Sequence, residues 1–106
     1  MPHYLVTATP KDGSLARLQD RIDSGEIAKL RPFGKALSNV LSDARRDDDG
    51  NAVWEHVDFG DPPLQAEREI LDEYFSEIEV EEVEEMEGWH SIGAWPRLFK
   101  VRRPHV

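Results

Sequence analysis

The residues of this chain best suited to chemistry lie in the segment "VWEHVDF", residues 53–59. In an extended strand His56 and Asp58 are two positions apart, so that their side chains share one face of a sheet. A carboxylate beside an imidazole orients the ring and favours its charged form, which is the arrangement of a general base. His56 and Asp58 are therefore the candidate catalytic pair.

Four further side chains could build a binding pocket around this pair. Trp54 precedes the histidine by two positions, and Ser38 and Ser42 belong to a segment that alternates like a neighbouring strand. Tyr4 or His3 completes the pocket, depending on the register of the first strand, which the sequence does not define. The simpler interpretation is that the histidine is structural and satisfies one hydrogen bond beneath the tryptophan.

The sequence predicts neither a metal site nor a cofactor. The four histidines show no metal-ligand spacing, and the segment "DDDGN" lacks the terminal glutamate of a calcium loop. Its aspartates and glycine are typical of a hairpin turn. The glycines of the chain are isolated, so that no phosphate-binding loop is predicted. The chain has no cysteine, which excludes disulfides and thiolate metal sites.

Length, composition and charge restrict the class of protein. A chain of 106 residues fits one small domain, and no stretch approaches the roughly 18 apolar residues needed to cross a bilayer. A net charge of −9 repels phosphate backbones, so that nucleic acid is a poor partner. The first residues lack a signal-peptide pattern. We therefore predict a cytoplasmic protein that binds neither nucleic acid nor membrane.

The apolar pattern predicts three strands and two helices before residue 77. Residues 3–9 are rich in aromatic and β-branched types and predict a strand. A helix follows at residues 15–25, which have apolar side chains at helical spacing after Ser14 as a cap. Residues 35–45 and 52–59 alternate in polarity on either side of a turn and predict a β-hairpin. The second helix is predicted at 62–75, after Asp61 as its cap and a pair of prolines.

The segment "EIEVEEVEEME", residues 77–87, holds seven glutamates and no basic residue. A continuation of the second helix would need apolar side chains at three positions that are glutamates, so that the helix must end before them. In a strand, Ile78 and Val80 share one face, and Val83 joins it if a β-bulge near Glu82 adds one residue. The segment is therefore predicted to be a half-buried fourth strand with glutamates on its exposed face.

The resulting order is strand, helix, strand, strand, helix, strand. This order predicts an α+β domain over residues 1–87, of the ferredoxin-like βαββαβ type, with a four-stranded antiparallel sheet and two helices on one face. In element order and length, residues 3–87 resemble a subunit of the dimeric α/β-barrel superfamily. The resemblance implies a homodimer in which two sheets pack face to face. It also implies an alternative function, since that superfamily includes cofactor-free monooxygenases, isomerases and dehydratases.

Residues 88–106 form a C-terminal arm that combines large apolar side chains with four basic residues and no acid. Its aromatic residues are too many to leave in water, so that we expect the arm to pack on the domain or on a dimer partner. We also expect at least one of its basic residues to face the glutamates of the fourth strand, because a nearby cation relieves their repulsion. These residues are Arg97, Lys100, Arg102 and Arg103.

Binding is the function that these features predict, in preference to catalysis. The sheet face with Val40, Trp54 and His56 is semi-apolar, and we expect it to lie away from the helices, where it forms a homodimer interface and a pocket for a small molecule. The favoured interpretation is a homodimeric binding or interaction module with a regulatory role, because no catalytic constellation is specific. The alternative is a cofactor-free enzyme with His56 as its general base. An open cavity at this histidine would favour the enzyme.

Overall fold

The computed structural model describes residues 2–60 and 62–99, which form an α+β fold with four strands and four helices. The first half contains strand β1 (His3–Pro10), helix α1 (Ser14–Asp23), helix α2 (Gly34–Ser42) and strand β2 (Arg45–Arg46). The second half contains strand β3 (Ala52–Val57), helix α3 (Arg68–Tyr74), strand β4 (Phe75–Val83) and helix α4 (Glu87–Ile92). No helix within these residues is both long and apolar enough to cross a membrane.

The four strands form one open antiparallel sheet in the order β2-β3-β1-β4. β1 and β3 are the central strands, and Val6 of β1 lies opposite Trp54 of β3. Cross-strand partners share a face, and both side chains are fully buried, so that this face of the sheet is the core face. The predicted α+β class with a four-stranded antiparallel sheet is confirmed.

Helices α1, α2 and α3 build the hydrophobic core against the core face. Trp54 packs on Phe75 with 5.9 Å between the ring centroids. Trp54 also belongs to one buried cluster with residues of all three helices. The predicted interface is therefore wrong, because the sheet face of Trp54 and His56 was expected to lie away from the helices and is covered by them instead. Val40 does not belong to the sheet and lies on α2. The helical residues of the core include Leu18, Leu37, Leu41, Ile70 and Leu71.

The predicted strand at residues 35–45 is wrong, because most of this segment belongs to α2. The segment alternates in polarity, yet its buried residues also recur at the spacing of one helix face, and the helix forms. Only Arg45–Arg46 pairs with β3. Ser38 and Ser42 therefore lie on a helix and not on a strand beside His56. The buried residues of α2 are Gly34, Leu37, Ser38 and Leu41.

Two helices begin differently from the prediction. α3 begins at Arg68 and not at residue 62. Leu64 has a left-handed φ of 68°, which a continuous right-handed helix does not contain. The predicted cap, Asp61, lies outside the described residues. Ser14 is the first residue of α1 and not its cap, since its hydroxyl donates to a carbonyl at the end of α3 at 2.8 Å.

β4 is the strand predicted from the glutamate-rich segment, and it pairs with β1 along its length. Among the described strands only β1 pairs with it, so that β4 is one edge of the sheet. The register shifts between Thr9 and Pro10, at the beginning of β4, and not near Glu82 as predicted. Val83 consequently does not join the core face. The half-buried residues of β4 on the core face are Ile78 and Val80.

The described part of the C-terminal arm packs on the domain. Helix α4 lies on the second face of the sheet, where a Cβ added at Gly88 would come within 3.1 Å of Leu5 Cδ1. After α4 the chain crosses to the β2 edge, where the N–H of Leu98 donates to the carbonyl of Ala44 at 2.9 Å. Phe99 is buried and belongs to the core. Burial of apolar side chains therefore anchors this segment.

Arg97 does not face the glutamates of β4 as predicted. Its guanidinium lies 2.8 Å from the carboxylate of Asp43, and its backbone forms a bridge with Arg45. This bridge holds Arg97 at the β2 edge, which is the opposite edge of the sheet from β4. The other predicted partners of the glutamates, Lys100, Arg102 and Arg103, lie outside the described residues.

Candidate functional site

The imidazole of His56 lies beside two carboxylates at the end of β3. Asp58 follows this strand, and Glu67 immediately precedes α3. Nε2 of His56 is 3.9 Å from Oδ2 of Asp58 and 3.4 Å from Oε2 of Glu67. One imidazole nitrogen of His56 and one carboxylate oxygen from each of the two acids all lie within 4.8 Å of one another. We call the three residues the His–Asp–Glu cluster.

Asp58 holds the loop that brings Glu67 to His56. Its Oδ1 accepts a hydrogen bond from the N–H of Gly60 at 2.6 Å, and its Oδ2 accepts one from the N–H of Leu64 at 2.7 Å. Backbone N–H groups that donate to an aspartate a few residues earlier in the chain stabilise a compact turn. The carbonyl of Leu64 then accepts the N–H of Glu67 at 3.0 Å. The chain thereby returns to β3 and places the Glu67 carboxylate beside the imidazole.

The cluster is enclosed by the protein. His56 and Glu67 are each 5% exposed, and the side chain of Asp58 is 15% exposed. Nδ1 of His56 and Oε2 of Glu67 are buried without a hydrogen-bond partner in the described structure. Buried polar atoms in native proteins nearly always have such a partner. The cluster therefore has unused capacity for a proton, a ligand or an ion.

Burial and charge determine where the protons of the cluster reside. Burial, together with repulsion by Asp58, raises the pKa of Glu67 to about 7. Burial lowers the pKa of His56, although attraction by Asp58 opposes this effect. Burial raises the pKa of Asp58, but the N–H donors of Gly60 and Leu64, together with the neighbouring His56, hold this pKa below its ordinary value. Near neutral pH Asp58 is therefore charged, His56 is neutral, and Glu67 is partly protonated.

The other residues predicted for the pocket have different positions. Tyr4 lies directly opposite His56 on β1, so that the two share a face of the sheet. Trp54 lies on the same face and is fully buried in the core. Ser38 and Ser42 lie on α2, where the hydroxyl of Ser42 donates to the carbonyl of Ser38 at 2.8 Å. The structure therefore brings Tyr4 towards the cluster, while the serines are part of a helix and the tryptophan is part of the core.

Sequence reasoning missed Glu67 because it lies eleven positions after His56 and reaches it only through the loop. One sequence feature could have indicated it. Glu67 lies three positions after Leu64 and four before Leu71, and both leucines are fully buried. A glutamate at such a position of an apolar stripe is buried as well, and buried carboxylates need a partner.

A second buried carboxylate, Glu55, lies on the opposite face of the sheet. Its Oε1 accepts the N–H groups of Gly88 at 2.8 Å and Trp89 at 3.2 Å. Its Oε2 accepts the N–H of Met86 at 2.9 Å and lies 3.0 Å from Nδ1 of His3. The first N–H groups of a helix have no partner inside it, so that Glu55 caps α4. Because both oxygens are engaged with the chain itself, this carboxylate is structural.

An open cleft of about 780 Å³ lies between the end of β4 and the beginning of α4. A second groove of about 320 Å³ lies along β1 and β4. We call the two together the acidic cleft, because the described residues that line them include six glutamates and no lysine or arginine. The glutamates are Glu79, Glu81, Glu82, Glu84, Glu85 and Glu87.

Comparison of the chain with known protein families, with curated proteins and with solved structures finds no match. No relative therefore bears on the resemblance to the dimeric α/β-barrel superfamily. The function has to be inferred from the geometry of the cluster and of the acidic cleft.

Proposed function

We propose that this chain is a small interaction protein that binds a lysine- and arginine-rich segment of a partner protein along β4 and the acidic cleft. The observation that supports the proposal is the coincidence of a free strand edge with a row of glutamates. β4 has nine residues and pairs only with β1 among the described strands. Such an edge presents unpaired backbone groups to which an extended peptide adds as a further strand.

The charge of β4 selects the kind of peptide. Glu77, Glu79 and Glu81 recur at every second position of the strand and are exposed. A partner strand with basic residues at alternate positions would place each of them near a glutamate, and such pairs contribute about 0.2–1 kcal/mol each. The same glutamates repel a second copy of β4, which disfavours edge pairing between two copies of this chain.

Binding is a better proposal than catalysis at His56. In the alternative function, a cofactor-free enzyme, the substrate would have to reach an imidazole that is 5% exposed beneath the helices. The acidic cleft, in contrast, is open to a partner. Access therefore favours the interaction protein over the enzyme.

The finer predictions on topology and assembly remain part of the proposal. The strand order β2-β3-β1-β4 supports a ferredoxin-like domain to which α2 and α4 are additions. The predicted homodimer needs a new interface, and we propose the exposed apolar side chains Val57, Phe59 and Met86 for it. The absence of cysteine is compatible with the predicted cytoplasmic location.

Fluorescence anisotropy with short labelled peptides tests the proposed binding. One peptide carries lysine at alternate positions between valines, and a control peptide carries glutamate in place of lysine. We expect only the basic peptide to bind, and its affinity should fall as the salt concentration rises from about 0.05 M to 0.5 M, because salt screens exposed charges. The double variant Glu79→Lys with Glu81→Lys should bind the basic peptide at least about tenfold more weakly.

Asp48→Lys with Asp49→Lys is the matched control, because it reverses two exposed acids in the β2–β3 loop and away from β4. Equal affinity of the parent and the β4 double variant for the basic peptide would refute the proposal. Sedimentation of the 12.2 kDa chain tests the homodimer in the same samples. A dimer that excludes the peptide would make a second copy, and not a basic partner, the occupant of the cleft.

A further inference from the structure

We propose that His56, Asp58 and Glu67 bind one divalent transition-metal ion, with Zn²⁺ as the best-suited ion. This site is separate from the acidic cleft and does not depend on the proposed binding of a basic partner. The cluster offers one imidazole nitrogen and two carboxylate oxygens, which are donors that zinc takes in proteins. The sequence predicted no metal site because the third donor is distant along the chain.

The positions of the donor atoms fit a single ion. Zinc bonds of about 2.0–2.2 Å at tetrahedral angles hold neighbouring donors about 3.3–3.6 Å apart. Nε2 of His56 is 3.4 Å from Oε2 of Glu67 and 3.9 Å from Oδ2 of Asp58. Small rotations of the side chains would therefore bring all three atoms to bonding distance from one point.

Glu67 supplies an independent observation that a ligand belongs in the cluster. Its side chain is 7% exposed, and its Oε2 points towards His56 without a hydrogen-bond partner in the described structure. Leaving a buried polar atom unpartnered costs roughly 1–3 kcal/mol. An ion between Glu67 and His56 would give Oε2 a partner and remove this cost.

The donor set also indicates the class of ion. Ca²⁺ and Mg²⁺ take oxygen ligands, so that the imidazole favours a transition metal over both. Three protein donors leave one tetrahedral position open, as in zinc sites that bind water or a substrate. The side chain of Asp58 is the most exposed of the three, and an ion would reach the cluster from its side.

Isothermal titration of the full chain with Zn²⁺ tests the site. We expect one tightly bound ion in the parent protein. Glu67→Gln keeps the shape of the side chain but removes its charge, and it should weaken binding at least about tenfold. Two matched controls should bind as the parent does: Glu69→Gln on the exposed side of α3 and Glu81→Gln on β4. Co²⁺, which absorbs visible light in tetrahedral sites, should report the same difference.

The histidine ring resonances provide a readout that does not depend on a folded variant. In an NMR titration of the parent with Zn²⁺, we expect the ring signals of His56 to shift in proportion to the first equivalent. Changes confined to His3, His90 or His105 would overturn the proposal. The proposal would also be wrong if the parent binds no Zn²⁺, if Glu67→Gln folds and binds it as tightly as the parent, or if Glu81→Gln abolishes binding.

Discussion

Replacing Glu55 with alanine is expected to lower the free energy of unfolding by about 3 kcal/mol. The carboxylate of Glu55 accepts hydrogen bonds from the backbone N–H groups of Met86, Gly88 and Trp89. Alanine has no acceptor, so that all three donors lose their partner. The Gly88 bond is fully buried, and water does not replace the carboxylate there without entering the space between α4 and the sheet.

The magnitude follows from the burial of these donors. A buried donor without a partner costs about 1–3 kcal/mol, and a lost helix cap on partly exposed donors costs about 1 kcal/mol. The Gly88 N–H belongs to the first class and the other two belong to the second. Because the three share one acceptor, their costs are not independent, and about 3 kcal/mol is the reasonable total. In a domain of this size it corresponds to a fall in Tm of roughly 10–20 °C.

Urea denaturation followed by tryptophan fluorescence measures this effect. Glu69→Ala is the matched control, since it removes an exposed glutamate from α3 and should change stability by less than about 0.5 kcal/mol. Hydrogen exchange locates the loss, and the amides of Gly88 and Trp89 should lose protection before those of β1. A Glu55→Ala protein with the same unfolding midpoint as the control would refute the cap.

Two further predictions concern the cluster and the arm. With EDTA present, the free energy of unfolding of the parent should fall relative to Glu67→Gln as the pH rises from about 5 to 8, by up to about 3 kcal/mol. The sign follows because folding raises the pKa of Glu67 from 4.5 to about 7, so that the folded state holds a proton which the unfolded state releases. Urea titrations at both pH values check this, and parallel pH profiles would contradict it. Arg97→Ala should cost less than about 1 kcal/mol, because its side chain is 39% exposed and its ion pair is screened by water. Phe99→Ala should cost about 3 kcal/mol or more, because it leaves a cavity in the core. Thermal melts of the two variants compare them, and equal losses would show that burial does not anchor the arm.

The sequence alone determined the features that depend on local periodicity. β1, α1 and β3 were predicted at their places, because the apolar spacing of each fits only one kind of element. β4 was predicted as a strand because a continuation of the preceding helix would have placed three glutamates on its buried side. The same reasoning failed for residues 35–45. Their polarity pattern fits the period of a strand as well as that of a helix, and contacts with the rest of the core favour helix α2.

Only the tertiary structure decided which face of the sheet is buried and which charged groups meet. Both faces of β3 carry large side chains, so that its sequence did not show which face the helices cover. Helix α4 covers the face that the other helices leave free. Glu67 reaches His56, and Glu55 reaches α4, across more than ten residues of chain in each case. The apolar stripe indicates that Glu67 is buried, but periodicity does not show which group a buried carboxylate meets. That depends on the path of a loop and on the packing of whole elements against each other.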